Sequence, residues 1–239
     1  MSAHCASCGA PRPVAARFCG ACGAPTAEHR RVLLHGVRAD RLRTQRAALA
    51  LGVACAGTLF GLLGGSDLVA GADDGWPTVL VGSASVFVAA LAASLVLGEL
   101  RATLPLTASW RWCVAALPTA MLSLAAAWIL TAYLWSADAA MPTAARWIGV
   151  VVLAPLGEEW LCRGAAWRAA NVLASPRSAL LLTAILFAFL HGLGGGYLLE
   201  LPHRFVAGLL FGWLRWRSGS LLPGVLAHGL HNLGAMCLA

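Results

Sequence analysis

Two carboxylic acids and a guanidinium stand together in an otherwise apolar stretch, Gly157-Glu158-Glu159-Trp160-Leu161-Cys162-Arg163-Gly164. At the centre of a helix in lipid, each would cost about 2.5–3.5 kcal/mol, roughly 8–10 together. The six large aliphatics from Ile148 to Leu156 return only ~2–4 kcal/mol on the same scale. These charges therefore face a protein interior or a wet cavity, which marks a candidate functional site. Glu159 and Arg163 are four apart with the acid on the N-terminal side, the favourable spacing for an ion pair. Glu158 lies about 100° around the helix, toward Cys162, and has no partner in its own helix. A partly desolvated, unpaired carboxylate has a raised pKa, which suits a general base.

Imidazoles arrive later in the chain, in Phe187-Ala-Phe-Leu-His191 and in His228-Gly-Leu-His231-Asn232. A single His in an apolar helix serves equally well as a helix-to-helix hydrogen bond or as a catalyst. His228 and Asn232 are four apart and share a face; His231 is either a neighbour in the site or a packing residue. Counting 1.5 Å per residue from the expected segment ends puts Glu158 at ~12 Å, His228 at ~11 Å, Asn232 at ~17 Å and His191 at ~21 Å above the inner boundary of a ~30 Å apolar layer. That band is compatible with one site.

The elements that must position these groups are read from hydropathy. Of 239 residues, 59% are hydrophobic and only 11% charged, and the mean hydropathy of +0.76 points to an all-α, polytopic transmembrane helix bundle. About seven apolar segments are expected, at 47–65, 77–98, 111–135, 146–170, 178–191, 199–216 and 221–238. Asp67, Asp73 and Asp74 follow the first, Arg101 and Arg111 the second, Asp138 the third, Arg168 and Arg177 the fourth, Glu200 the fifth, and Arg215 and Arg217 the sixth. The positive-inside rule then predicts a multi-pass protein of the cell membrane with a cytoplasmic N-terminus and an outer C-terminus. Arg146 and Arg204, at expected outer ends, are taken to reach headgroups. Trp76, Trp110, Trp112, Trp135, Trp147, Trp213 and Trp216 lie near segment ends as interfacial aromatics. Cys55, Cys113 and Cys237 read as small core residues. The net charge of +7 comes from Arg alone, with about half of the Arg residues before residue 47, and speaks for orientation against membrane lipids; no nucleic-acid partner is expected.

Ahead of the apolar segments stands a separate unit, residues 1–28, with Cys5-x2-Cys8-x10-Cys19-x2-Cys22 and a Gly after each pair, at Gly9 and Gly23. Two such knuckles suit a tetrahedral Zn2+ held by four thiolates, and so short a segment depends on its metal to fold. It resembles the zinc ribbons attached to many prokaryotic proteins, with a docking or regulatory role and an unnamed partner; two disulfides are the alternative for a chain end outside the reducing cytosol. Residues 29–46 form a basic juxtamembrane linker with Arg30, Arg31, Arg38, Arg41, Arg43 and Arg46. Residues 47–145 hold the first transmembrane helices and 146–239 the helices of the site.

Taken together, Glu158-Glu159-xxx-Arg163, Phe187-xxx-His191 and His228-xxx-Asn232, in a run from Gly208-xxx-Gly212 through Ser218-Gly-Ser-Leu-Leu, resemble the CAAX-processing and bacteriocin-processing (CPBP, or Abi) family of intramembrane endopeptidases. The resemblance covers about residues 146–239, and the first three helices lie outside it. It implies peptide-bond hydrolysis in a helical cavity, with Glu158 activating water, His191 assisting, and His228 and Asn232 steadying the oxyanion. Glu159 and Arg163 would hold their helix in register. Gly208 and Gly212 would let the sixth helix approach its neighbour closely.

Glu158, His191 and His228 also form a candidate His2Glu zinc set, completed by Glu159 or water. The metal-free mechanism is favoured, because Asn232 suits an oxyanion and is a poor zinc ligand. The resemblance implies a peptide or protein substrate, with or without a modified C-terminus. A non-catalytic membrane factor, for bacteriocin immunity or scaffolding, is the alternative. A proton-coupled transporter using the buried acids is a third reading, opposed by the order of the motifs and by the lack of a 20–50-residue repeat.

Overall fold

The computed structural model describes residues 2–68, 76–131, 147–192 and 200–238, apart from positions 15, 20 and 23. Gly23, Asp73, Asp74, Trp135, Asp138 and Arg146, all used in the sequence reading, lie outside the described residues. The chain forms two compact units, Met1–Gln45 and Arg46–Ala239.

In the first unit β1 (Ser2–His4) pairs antiparallel with β2 (Pro11–Pro13), Ser2 opposite Pro13. The turn between them is a cysteine knuckle. Gly9 takes a left-handed φ of +73°, open to glycine at no steric cost, and its N–H donates to the Cys5 carbonyl at 2.8 Å. Cys5 N–H reaches the Ala10 carbonyl and Cys19 N–H the Ala24 carbonyl, both at 2.9 Å, so the two knuckles share one hydrogen-bond pattern. Helix α1 (Ala27–Leu68) follows at once, so the basic segment 29–46 is helical, and its Arg38, Arg41, Arg43 and Arg46 side chains are exposed.

The second unit is all-helical among its described residues. It takes in the later part of α1, α2 (Trp76–Leu97), the short α3 (Leu100–Thr103) and α4 (Trp110–Thr131). A broken helix follows, made of π1 (Gly149–Leu153), α5 (Ala154–Glu159), π2 (Trp160–Ala166) and α6 (Trp167–Leu173). Then come α7 (Pro176–Gly192), α8 (Leu201–Ser218) and α9 (Leu222–Leu238). Pro155 accounts for the first break: it brings no N–H to the Val151 carbonyl one turn back and its ring crowds that carbonyl, so the ladder widens and Ala154 N–H bonds to Gly149 O. The loosened carbonyls are where α9 docks. Gly229 passes so close that a Cβ would stand 2.7 Å from Val151 O, and the Asn232 amide donates to Val150 O at 2.8 Å.

Small residues set the remaining helix contacts. Ala47, Ala50 and Ala54 of α1 and Ala89, Ala90 and Ala93 of α2 are all buried in one core. Gly208 of α8 lies on the backbone of Ala184 in α7, where a Cβ would come within 2.9 Å of Ala184 Cα. Helix α8 stops at Gly219, φ +71°, and the turn is pinned by Leu221 N–H to Pro105 O at 2.7 Å.

The expectation of about seven membrane-crossing helices is corrected by these elements. Among the described residues one helix, Trp110–Leu130, is both long and apolar enough to cross a membrane. Its outward side chains, Val114, Leu117, Met121, Leu122, Trp128 and Ile129, are exposed. Length and charge account for several of the rest. Pro176–His191 spans only ~24 Å at 1.5 Å per residue, short of a ~30 Å layer. Segment 146–170 is interrupted by two π stretches and carries Glu158, Glu159, Arg163 and Arg168, while α8 carries Arg204, Arg215 and Arg217. The multi-pass placement in the cell membrane with a cytoplasmic N-terminus rested on counting seven crossings, and it falls with that count. Nor does Arg204 extend toward headgroups: it donates to Glu200 one turn earlier, at 3.1 and 3.3 Å. Trp112 and Trp213 pack edge to face at 5.9 Å instead of standing alone at an interface.

Candidate functional site

Glu158 and Glu159 sit in the one ordinary helical turn between π1 and π2, packed against α2 and α9. Their side chains part as the 100° step requires. Glu159 is fully buried, and its Oε1 accepts from Arg163 NH1 at 2.8 Å. Arg163 NH2 donates to the Gly208 carbonyl at 2.8 Å, and its guanidinium lies over Phe187, 4.4 Å from the ring centroid. A side chain on residue 208 would sit against α7, so glycine serves both the helix contact and access to this carbonyl. Burial raises Glu159, and Arg163 opposes that rise.

Glu158 turns the other way. Its Oε2 lies 3.4 Å from His191 Nε2 and 3.8 Å from His228 Nε2, and has no hydrogen-bond partner among the described residues. Burial pushes its carboxyl up to about 8, against the pull of Arg204; Glu159 adds to the rise and Arg163 subtracts from it. His191 approaches from the end of α7, where its Nδ1 meets the Phe187 carbonyl at 2.9 Å. A carbonyl only accepts, so Nδ1 carries the proton and Nε2 offers a lone pair to Glu158. Burial, with the Arg204 charge beside it, holds His191 well below its ordinary range and therefore neutral. Burial does the same for His228, with Arg163 the next cause. His228 is clamped between aromatic rings, stacked on Phe211 at 5.1 Å and edge-on to Phe187 at 5.3 Å.

Of the four residues singled out for chemistry, Glu158, His191 and His228 meet, with one ligand atom from each within 4.8 Å of the others. Asn232 lies one turn beyond His228 and holds Val150 O. His231 is buried, edge-on to Phe211 at 6.4 Å, with Nδ1 unpartnered among the described residues. Residues 104–234 match the family model described as type II CAAX prenyl endopeptidase Rce1-like. The chain belongs to that family. Comparison with curated proteins and with solved structures returns no match.

This Rce1-like assignment agrees at family level with the motif resemblance, since both fall in one clan. The match begins ahead of residue 146 and takes in α4, which packs against α8 and α9. Within the Rce1-like domain the three convergent atoms fit a divalent ion. Tetrahedral ligands at 2.0–2.1 Å stand roughly 3.3 Å apart, close to the 3.4 and 3.8 Å seen here, and both Nε2 atoms face inward.

The four ribbon sulfurs form a second group able to hold a metal, Cys5 and Cys19 buried and Cys8 and Cys22 exposed. Cys5 Sγ stands 3.8 Å from Cys22 Sγ and Cys8 Sγ 3.7 Å from Cys19 Sγ. A tetrahedron with ligands at 2.3 Å has edges of about 3.8 Å, whereas a disulfide would bring sulfurs to about 2.05 Å. All four are free cysteines.

Phe211 escaped the sequence reading, and Arg204 was assigned there to the headgroups and not to the neighbourhood of the site. Phe211 sits between Gly208 and Gly212, a position that reads as packing. The Glu200-xxx-Arg204 spacing was the available signal for the latter, because an i,i+4 acid–Arg pair keeps the guanidinium on its own helix.

Proposed function

We propose that the protein is an endopeptidase in which Glu158 activates a water for attack on a peptide carbonyl. One observation carries this reading: the buried, otherwise unpartnered Glu158 Oε2 faces the neutral Nε2 atoms of His191 and His228. Buried polar atoms without partners are rare, and they concentrate where chemistry needs them. Family membership supports the same reaction class, and because the family is that of CAAX prenyl endopeptidases, a peptide with a prenylated C-terminus is the first substrate to test.

In the proposed reaction ionised Glu158 takes a proton from water, with His191 Nε2 positioned to share it. The water oxygen bonds to the carbonyl carbon. The Asn232 amide, one N–H held by Val150 O, offers its second N–H to the oxyanion. The C–N bond then breaks as the proton passes from Glu158 to the leaving nitrogen, leaving a carboxyl and an amine terminus. Glu158 and His191 side chains keep 14% and 18% of their surface exposed while His228 keeps 1%, so water and substrate reach the Glu158–His191 edge. A divalent ion held by Glu158, His191 and His228 would polarise water at the same place. In the ribbon, Cys5, Cys8, Cys19 and Cys22 hold a structural Zn2+.

The test is cleavage of a prenylated CAAX-type peptide, read together with proteomics of new C-termini in cells carrying wild type or Glu158→Gln. Glu158→Gln and His191→Ala each abolish cleavage while circular dichroism stays that of the wild type. Full activity in either variant sinks the assignment and leaves a non-catalytic role for the fold.

A further inference from the structure

Glu159 has a second neighbour besides Arg163. His228 Nδ1 stands 3.4 Å from the same Oε1 that Arg163 holds. That is long for a hydrogen bond, and Nδ1 makes none among the described residues, so Glu159 is the acceptor it faces; both side chains are essentially sealed from solvent, at 1% and 0% exposure. The other features of His228 leave its ring no freedom to turn elsewhere: Phe211 is stacked on one face at an interplanar angle of 22°, and Phe187 presses edge-on. Gly224, one turn before His228 on α9, would bring a Cβ to 2.9 Å from Glu159 Oε2, so its lack of a side chain lets α9 settle on this carboxylate.

A neutral imidazole carries one proton, and which nitrogen bears it is set by the partner of the other. Glu159 Oε1 is anchored by a guanidinium and accepts; it stabilises a proton on Nδ1 and disfavours a lone pair there. The geometry points to Glu159 as a positioning residue that holds His228 in the Nδ1–H form, so that Nε2 presents a lone pair toward Glu158 and the attacking water. This rests on the proposed endopeptidase reading for its consequence, and it changes one role within it. A neutral His228 of this tautomer has no Nε2 proton to give an oxyanion; it receives a hydrogen bond from the water and aligns it, leaving the oxyanion to Asn232. Arg163 then acts through two bonds, fixing Glu159 against Gly208 O and thereby the imidazole.

The test is long-range 15N–1H correlation spectroscopy of full-length protein labelled with 15N-histidine, the His228 signals identified by their loss in His228→Ala. The wild type shows a protonated Nδ1 and an unprotonated Nε2. In Glu159→Gln the amide can turn its NH2 toward Nδ1, the population moves to Nε2–H, and kcat falls about 10–100-fold with KM little changed. An Nε2–H tautomer in the wild type overturns the inference, whether or not the variant folds. So does an unaltered Nδ1–H signal in a folded Glu159→Gln protein, which is the result a mere Glu159–Arg163 brace would give. These failures are distinct from failure of the endopeptidase reading, which shows as full cleavage by Glu158→Gln whatever the tautomer.

Discussion

At the scale of single residues, adjacent glutamates acquire different duties from one 100° step. Glu159 faces Arg163 and His228, while Glu158 faces two neutral imidazoles and, among the described residues, no cation within bonding reach. Burial pushes the Glu158 carboxyl up to about 8, which favours its protonated form at neutral pH. The groups facing it are His191 from α7, His228 from α9, Arg204 from α8 and its own neighbours Glu159 and Arg163. In the proposed reaction the base acts in its ionised form, so log(kcat/KM) should rise by about one per pH unit and level off near pH 8, as a pH–rate profile would show. A profile flat from pH 5 to 9 would exclude Glu158 as the base. Much of this was legible beforehand, since an unpaired acid next to a paired one is a matter of spacing. The partner of Glu159 across the helix boundary was not, because no rule of spacing connects residue 159 to residue 228.

Among elements, the broken helix and the glycine contacts decide where those residues stand. Pro155 was in plain sight, yet an apolar run reads as one smooth helix; the cost of the missing N–H shows only when a neighbour uses the freed carbonyls, as Gly229 and Asn232 do. Gly208 and Gly212 were expected to allow close packing, and Gly208 does so against Ala184 while exposing its carbonyl to Arg163. Gly208→Ala should therefore destabilise the protein by about 1–3 kcal/mol through overpacking, seen as a lower midpoint in thermal unfolding. Gly82→Ala, in α2 with nothing within 4 Å of the added Cβ, should be neutral or stabilising by up to ~1 kcal/mol in the same measurement. Equal losses at both positions would remove the packing argument for Gly208.

For the whole molecule, two units carry two sets of ligand-type side chains, four cysteines in Met1–Gln45 and a Glu with two His in Arg46–Ala239. They separate experimentally. The intact protein should contain zinc at one equivalent by elemental analysis, falling to none in Cys5→Ser/Cys8→Ser, whose first unit loses its fold because little else in it is buried. Cleavage by that variant should survive exhaustive chelation if Glu158 acts on water without a metal; loss of cleavage, restored by added Zn2+, would assign a resident ion to Glu158, His191 and His228.

What the sequence determined by itself is what short-range geometry controls. The Glu159–Arg163 pair, the two cysteine knuckles, the all-α character and the order of motifs all follow from covalent spacing and helical periodicity. Tertiary structure alone decided that Glu158 Oε2 meets imidazoles from two later helices, that Glu159 stands at the back of His228, and that Asn232 is tied to a π-helix carbonyl. It also decided how many helices among the described residues have the length and composition to cross a membrane. Hydropathy measures how much a segment avoids water, and it does not fix where an unbroken helix starts and stops.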